Sequence, residues 1–142
     1  MIHIVDYGMG NLGSMLNMFK RLGVQARIEA DPEALRSATK LILPGVGAFD
    51  AAMSRITAVP GLREVLEHKA LTEQAPILGV CLGMQLLTNR SEEGSLPGLG
   101  WIPAVTRRFP QQAHLKVPHM GWNLALPITP SPLTADVGPE PR

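Results

Sequence analysis

The sequence predicts an α/β protein with a doubly wound, mainly parallel sheet and helices on both faces. Three observations predict it. Short apolar runs alternate along the chain with stretches of helical spacing. Glycine-rich turns follow three of those runs, at residues 8–13, 44–47 and 79–83. Hydrophobic residues make up 45% and charged residues 18% of the 142 positions, an ordinary balance for one buried core.

The elements read in order as follows. Ile2 to Val5 is the first strand. Asn11 to Leu22 is the first helix, because Leu12, Met15, Leu16, Phe19 and Leu22 recur at helical spacing and Gly23 stops it. Val24 to Ile28 is a second strand. Asp31-Pro32-Glu33 opens a helix that ends before Lys40, with a capping acid, a proline in the first turn and a second acid behind it. Leu41 to Leu43 is a third strand, closed by Pro44-Gly45. Helices over about 48–57 and 61–73 follow, the second opened by Pro60. Pro76 to Val80 is a fourth strand and runs directly into Cys81 and a helix reaching about Asn89. Residues 102–108 and 115–118 read as two further strands, of antiparallel character. From Ala125 onward five of 18 residues are proline, so 125–142 reads as an irregular tail behind a domain of residues 1–124.

Composition excludes several classes. A net charge of +1 with scattered basic residues gives no footprint for nucleic acid, and the pairs Lys20-Arg21 and Arg107-Arg108 read as solvated faces. No apolar stretch approaches the ~18 residues of a membrane span, and the start lacks a secretory pattern. One cysteine permits no internal disulfide and fits a reducing compartment, so a cytoplasmic location is expected. No grouping of His, Cys, Asp and Glu has metal-ligand spacing, and no cofactor is expected.

In open parallel sheets the site lies at the carboxyl ends of the strands, where the three glycine-rich turns fall. Gly79-Val80-Cys81-Leu82-Gly83 is the sharpest of them. A strand that enters a helix through a residue flanked at minus two and plus two by glycine has the pattern of a nucleophile elbow. Small neighbours let the chain turn tightly, the following N–H groups face a reacting carbonyl, and a helix N-terminus favours a thiolate. The plain alternative is a buried structural cysteine. Pro44-Gly45-Val46-Gly47 has the small residues that let N–H groups turn inward as an oxyanion hole, or it is a simple strand-to-helix turn. Gly8, Gly10 and Gly13 fit a dinucleotide fingerprint, with Glu29 near the distance of a ribose-binding acid. Against that reading, Asp6 would repel a pyrophosphate and no second catalytic domain follows; a glycine turn for close packing fits better. Among the histidines, His3 reads as a satisfied strand residue and His68 as solvent-facing. His114 has no evident partner, and His119 lies with Trp122 and Asn123 in a polar, aromatic cluster.

Taken together, the segments Asp6–Leu12, Pro44–Phe49, Gly79–Gln85 and Pro118–Asn123 resemble the glutamine amidotransferase subunits of imidazole glycerol phosphate synthases, within the triad-type amidotransferases. Ser91–Gly94, Gly98–Pro103 and Arg107–Phe109 are similar too, so the resemblance runs over residues 1–123. It implies that Cys81 attacks the side-chain amide of glutamine, with Gly45, Val46, Gly47 and Leu82 at the oxyanion and Gln85 holding the substrate. It implies that ammonia passes to a (βα)8-barrel cyclase subunit, which makes imidazole glycerol phosphate and aminoimidazole carboxamide ribonucleotide in histidine biosynthesis. Asn11 and Trp122 would lie toward that partner in a heterodimer. The family carries a later His-Pro-Glu element as base and orienting acid, and no residue here matches it. The expectation is therefore a sheet incomplete at the C-terminus, with an exposed apolar edge, and an impaired glutaminase. The competing readings are a non-catalytic, partner-binding form of the same fold, a dinucleotide-binding domain, and another cysteine hydrolase.

Overall fold

The computed structural model describes residues 1–110 and 116–135. The chain divides into two compact units, Met1–Arg108 and Phe109–Arg142. The boundary expected at residue 124 falls inside the second unit. Residues 116–135 carry neither helix nor strand, so the strand expected at 115–118 does not form at 116–118, and residue 115 lies outside the described residues.

The first unit runs β1 (Ile2–Val5), α1 (Leu12–Arg21), β2 (Ala26–Glu29), α2 (Pro32–Leu35), β3 (Leu41–Leu43), α3 (Phe49–Ala58) and α4 (Leu62–Glu67). The chain then makes a π-helical turn, His68–Thr72, and continues with β4 (Ile77–Gly79), α5 (Leu82–Leu86), β5 (Thr88–Ser91) and β6 (Ile102–Thr106). One cap works as the sequence suggested: Asp31 Oδ1 accepts the Glu33 N–H at 3.0 Å and starts α2. Asn11, read from the sequence as the first helical residue, instead caps α1, its Oδ1 accepting the Ser14 N–H at 3.3 Å.

The main sheet has the order β2-β1-β3-β4 and is parallel throughout. Its direction of growth reverses after β2. With right-handed crossovers, α1 therefore falls on one face and α2, α3 and α4 on the other. The second face holds the main core: Val5, Leu41 and Leu43 pack with Leu35, Phe49, Ile56, Leu62, Leu66 and Leu86, all buried. The register puts Ile4, Ile42 and Leu78 on the first face in one row. Ile4 and Ile42 are buried, but Leu78, on edge strand β4, is 53% exposed. The reversal also creates a switch point between β1 and β3, which is where open parallel sheets place their ligands.

Two expectations after Cys81 need correction. The helix expected to reach Asn89 ends at Leu86, and residues 88–91 form a strand instead. The physical reason is competition for backbone acceptors. Leu86 O accepts from Leu99 N–H at 2.8 Å, Leu87 O from Ile102 N–H at 2.9 Å, and Asn89 O from Gly98 N–H at 2.9 Å. The returning segment thus takes the carbonyls a longer helix would have used. Residues 102–106 do form a strand, but it pairs with β5 in parallel register rather than antiparallel.

Candidate active site

Cys81 joins β4 to α5 with φ 55° and ψ −118°, a conformation that side-chain-bearing residues rarely adopt. The turn closes because its neighbours lack side chains. A Cβ on Gly79 would lie 2.7 Å from Gly83 O and from Met84 N, and a Cβ on Gly83 would run into Leu43 O. The Val80 N–H donates to Leu43 O at 3.0 Å and the Gly83 N–H donates to Val80 O at 3.0 Å. These contacts hold the thiol, which is exposed, above the carboxyl edge of the sheet. Of the amides just after Cys81, that of Gly83 is used internally, while Leu82 N–H has no acceptor among the described residues.

The turn at 44–47 lies against this elbow. A Cβ on Gly45 would stand 2.8 Å from both Gly83 N and Leu82 Cβ. Gly47 has φ +103°, and Val46 between them is exposed. The N–H groups of residues 45–47 make no hydrogen bond to the described residues, so they remain available as donors. The structure thus brings Gly45, Val46, Gly47, Cys81 and Leu82 to one edge of the sheet.

Gln85 lies one turn beyond Cys81 on α5, and its amide is held from both ends. Its Oε1 accepts from Ser91 Oγ at 2.9 Å, and its Nε2 donates to Glu93 Oε2 at 3.0 Å. Ser91 Oγ also accepts the Glu93 N–H at 3.1 Å. Asp50 anchors the next stretch, accepting the N–H groups of Ser95 at 2.8 Å and Leu96 at 2.9 Å. Ser91, Glu93 and Asp50 were not picked out from the sequence. Their only signal there is the Ser91–Gly94 similarity, since side chains that close a loop carry no periodicity.

The first glycine turn is already committed to other partners. The Gly8 N–H donates to Asp6 Oδ1 at 2.9 Å, and Arg55 Nη1 donates to Gly8 O at 2.7 Å. Glu29 pairs with Arg27 at 3.0 Å and accepts the Asp31 N–H at 3.1 Å. A pyrophosphate and a ribose would have to displace these bonds, which removes the dinucleotide reading. Close packing explains Gly10, where a Cβ would stand 3.1 Å from Pro44, but not Gly13, which faces open space.

No histidine hydrogen-bonds the Cys81 sulfur among the described residues. His3 is buried in β1, and both ring nitrogens lack a partner there, contrary to the expectation of a satisfied residue. Burial, reinforced by the charge of Arg27, holds it below its usual pKa. His68 faces solvent, 3.3 Å from Glu73. His114 lies outside the described residues, and His119 and Trp122 belong to the second unit, where Trp122 is 89% exposed. Asn11 is exposed on the first unit and spends its side chain on the α1 cap. Among the described residues no cluster could hold a metal ion, and no helix is long and apolar enough to cross a membrane. A cavity of about 440 Å³ between α3, Arg63 and Leu96–Pro97 shares no residue with the three turns.

A strained cysteine thus stands between strand and helix, beside a glycine turn whose N–H groups make no hydrogen bond among the described residues, on an open parallel sheet. The model of the family "Glutamine amidotransferase class-I" matches residues 3–141, and the chain belongs to that family. Among its relatives is the imidazole glycerol phosphate synthase subunit HisH 2 of Methanococcus maripaludis, 54% identical over 123 residues, which are 87% of this chain and 60% of that protein. The subunit of the same name from Pseudomonas aeruginosa is 46% identical over 142 residues, all of this chain and 70% of its own length. A solved glutamine amidotransferase shares the fold with a TM-score of 0.60 at 24% identity, over 75% of this chain and 56% of that one. The chain therefore spans roughly three fifths to seven tenths of the length of the relatives it matches.

Proposed function

We propose that this chain is the glutamine-hydrolysing part of an imidazole glycerol phosphate synthase. The Cys81 thiolate attacks the side-chain carbonyl carbon of glutamine. The oxyanion that forms accepts hydrogen bonds from Leu82 N–H and from the amides of Gly45–Gly47. Collapse breaks the C–N bond, and the nitrogen takes a proton and leaves as ammonia. Water then cleaves the glutamyl thioester to glutamate and restores the thiol. Gln85, one turn beyond Cys81 on α5, helps hold the substrate. Ammonia passes to a (βα)8-barrel cyclase that forms imidazole glycerol phosphate and aminoimidazole carboxamide ribonucleotide. The two proteins work in the cytoplasm as a heterodimer, with Asn11 and Trp122 toward the interface.

The observation that carries this reading is the backbone of Cys81, held at φ 55° beside two glycines that admit no side chain. Strain of that kind gathers at functional sites; the family's name supports glutamine as the substrate, and the relatives' names support a subunit of imidazole glycerol phosphate synthase. The test is glutamate release from glutamine by this chain mixed with a cyclase subunit, beside Cys81→Ala. Release that disappears in the variant is expected. Release that survives Cys81→Ala would sink the proposal.

A second reading is favoured by the lack of any histidine hydrogen-bonded to Cys81 among the described residues: the same fold kept for docking on its partner without catalysis. Stable complex formation with no glutamate release from a folded chain would select it.

A further inference from the structure

The three turns are not independent, and one side chain joins the first to the second. Tyr7 follows β1 and is 3% exposed. Its hydroxyl crosses the switch point between β1 and β3 and donates to Pro44 O at 2.6 Å. The same oxygen lies 3.0 Å from where a Cβ of Gly45 would be, so it also stands over the glycine that leans on the elbow. Neighbouring residues brace the same contact: Gly10 abuts the Pro44 ring, and Met9 Cε reaches to 3.2 Å from the Cβ position of Gly47.

Peptide groups are planar and trans, so the oxygen of one residue and the N–H of the next point in opposite directions. Fixing Pro44 O therefore fixes the direction of the Gly45 N–H. That constraint is needed here because glycine, and a chain with φ +103° at Gly47, would otherwise let the turn rotate. We infer that Tyr7 is a positioning residue for the oxyanion hole: its hydroxyl sets the orientation of the 44–45 peptide and so the aim of the first donor in the turn. This inference rests on the reading of residues 45–47 and Leu82 as oxyanion donors. Tyr7 itself does not touch the substrate.

A probe that needs the oxyanion hole but not a general base separates this role from catalysis at large. The γ-aldehyde of glutamate adds to the Cys81 thiol. In the thiolate form, an S–C bond forms, the C=O π bond breaks, and the oxygen takes the electron pair as an oxyanion facing the N–H groups of the turn. Binding is read as protection of Cys81 from alkylation by iodoacetamide, a displacement that builds no oxyanion. The full 142-residue chain is compared with Tyr7→Phe, which keeps the ring, and with Ile56→Val, a core variant on α3 that lowers stability away from the turns.

Removing an oxyanion donor outright costs on the order of 10²–10³-fold, so misaiming one should weaken protection about tenfold in Tyr7→Phe. The unprotected alkylation rate should not change in that variant, and Ile56→Val should protect as the parent does. Equal protection in Tyr7→Phe and parent overturns the inference while leaving the glutaminase reading intact. So does a loss in Ile56→Val matching that in Tyr7→Phe, since that would trace the effect to stability. No protection in the parent overturns both.

Discussion

Cys81 gives a stability prediction that needs no enzymatic activity. Its φ of 55° and ψ of −118° should cost a residue with a Cβ about 1–3 kcal/mol. Alanine inherits that cost and glycine does not. Glycine instead loses more backbone freedom on folding, about 0.5–1 kcal/mol relative to alanine. The difference leaves Cys81→Gly more stable than Cys81→Ala by roughly 0–2.5 kcal/mol, about 1 kcal/mol at mid-range. The unit Met1–Arg108 should unfold with an entropy of about 0.23 kcal/mol/K, at roughly 2.1 cal/mol/K per residue. Cys81→Gly should then melt about 5 °C, and at most about 11 °C, above Cys81→Ala in parallel circular dichroism melts. The thiol is exposed, so the alanine variant itself should stay close to the parent. A glycine variant that melts below the alanine variant, as at an ordinary helix position, would refute the assignment of a strained elbow.

Three further outcomes follow from the same geometry. Gly79→Ala must move α5, because the new Cβ would lie 2.7 Å from Gly83 O and Met84 N; a loss of about 1–3 kcal/mol is expected in a denaturant titration, and an unchanged midpoint would contradict the packing. Asp50→Ala strips the acceptor from the amides of Ser95 and Leu96, so those two should exchange hydrogen much faster, with about 1–3 kcal/mol of stability lost. Burial pushes the Tyr7 phenol up to about 12 from its ordinary 10, and it is the sole tyrosine, so the phenolate absorbance reports it alone. Above pH 10 the unfolded chain loses this proton first, so stability should fall between pH 10 and 12 by about 2–3 kcal/mol, a slope absent in Tyr7→Phe; a phenolate band titrating at its ordinary pH would contradict the burial.

The sheet and the backbone part of the site were legible because they rest on local rules. Apolar runs at 2–5, 41–43 and 76–80 read as strands without help, because strands inside a parallel sheet are covered on both faces; Leu78, on edge strand β4, departs from that by standing half exposed. Gly79, Cys81 and Gly83 were legible because a tight strand-to-helix turn has few residue solutions. Contacts between segments distant in sequence were not legible. The helix after Cys81 stops at Leu86 because residues 98–102 return to take its carbonyls, and nothing local announces that return. His3 alternates like any strand residue, and only the fold shows its ring without a partner. Nothing local marks Tyr7, since its partner Pro44 lies 37 residues away.

A strained cysteine persists only where its surroundings fix the chain on both sides of it. Here the strand before Cys81 is tied by the Val80 N–H to Leu43 O, and the helix after it is wedged by Gly83 against the same carbonyl. Leu43 is therefore the common reference for Cys81, while its neighbour Pro44 carries the oxygen that Tyr7 holds. The end of β3 thus registers Cys81 against the 44–47 turn, from backbone atoms of two consecutive residues. A shift of β3 relative to β1 would move both parts of the site together, whereas loss of the Tyr7 bond would move only the oxyanion turn. That is why the phenylalanine variant should spare the thiol's reactivity and weaken only the chemistry that builds negative charge on oxygen.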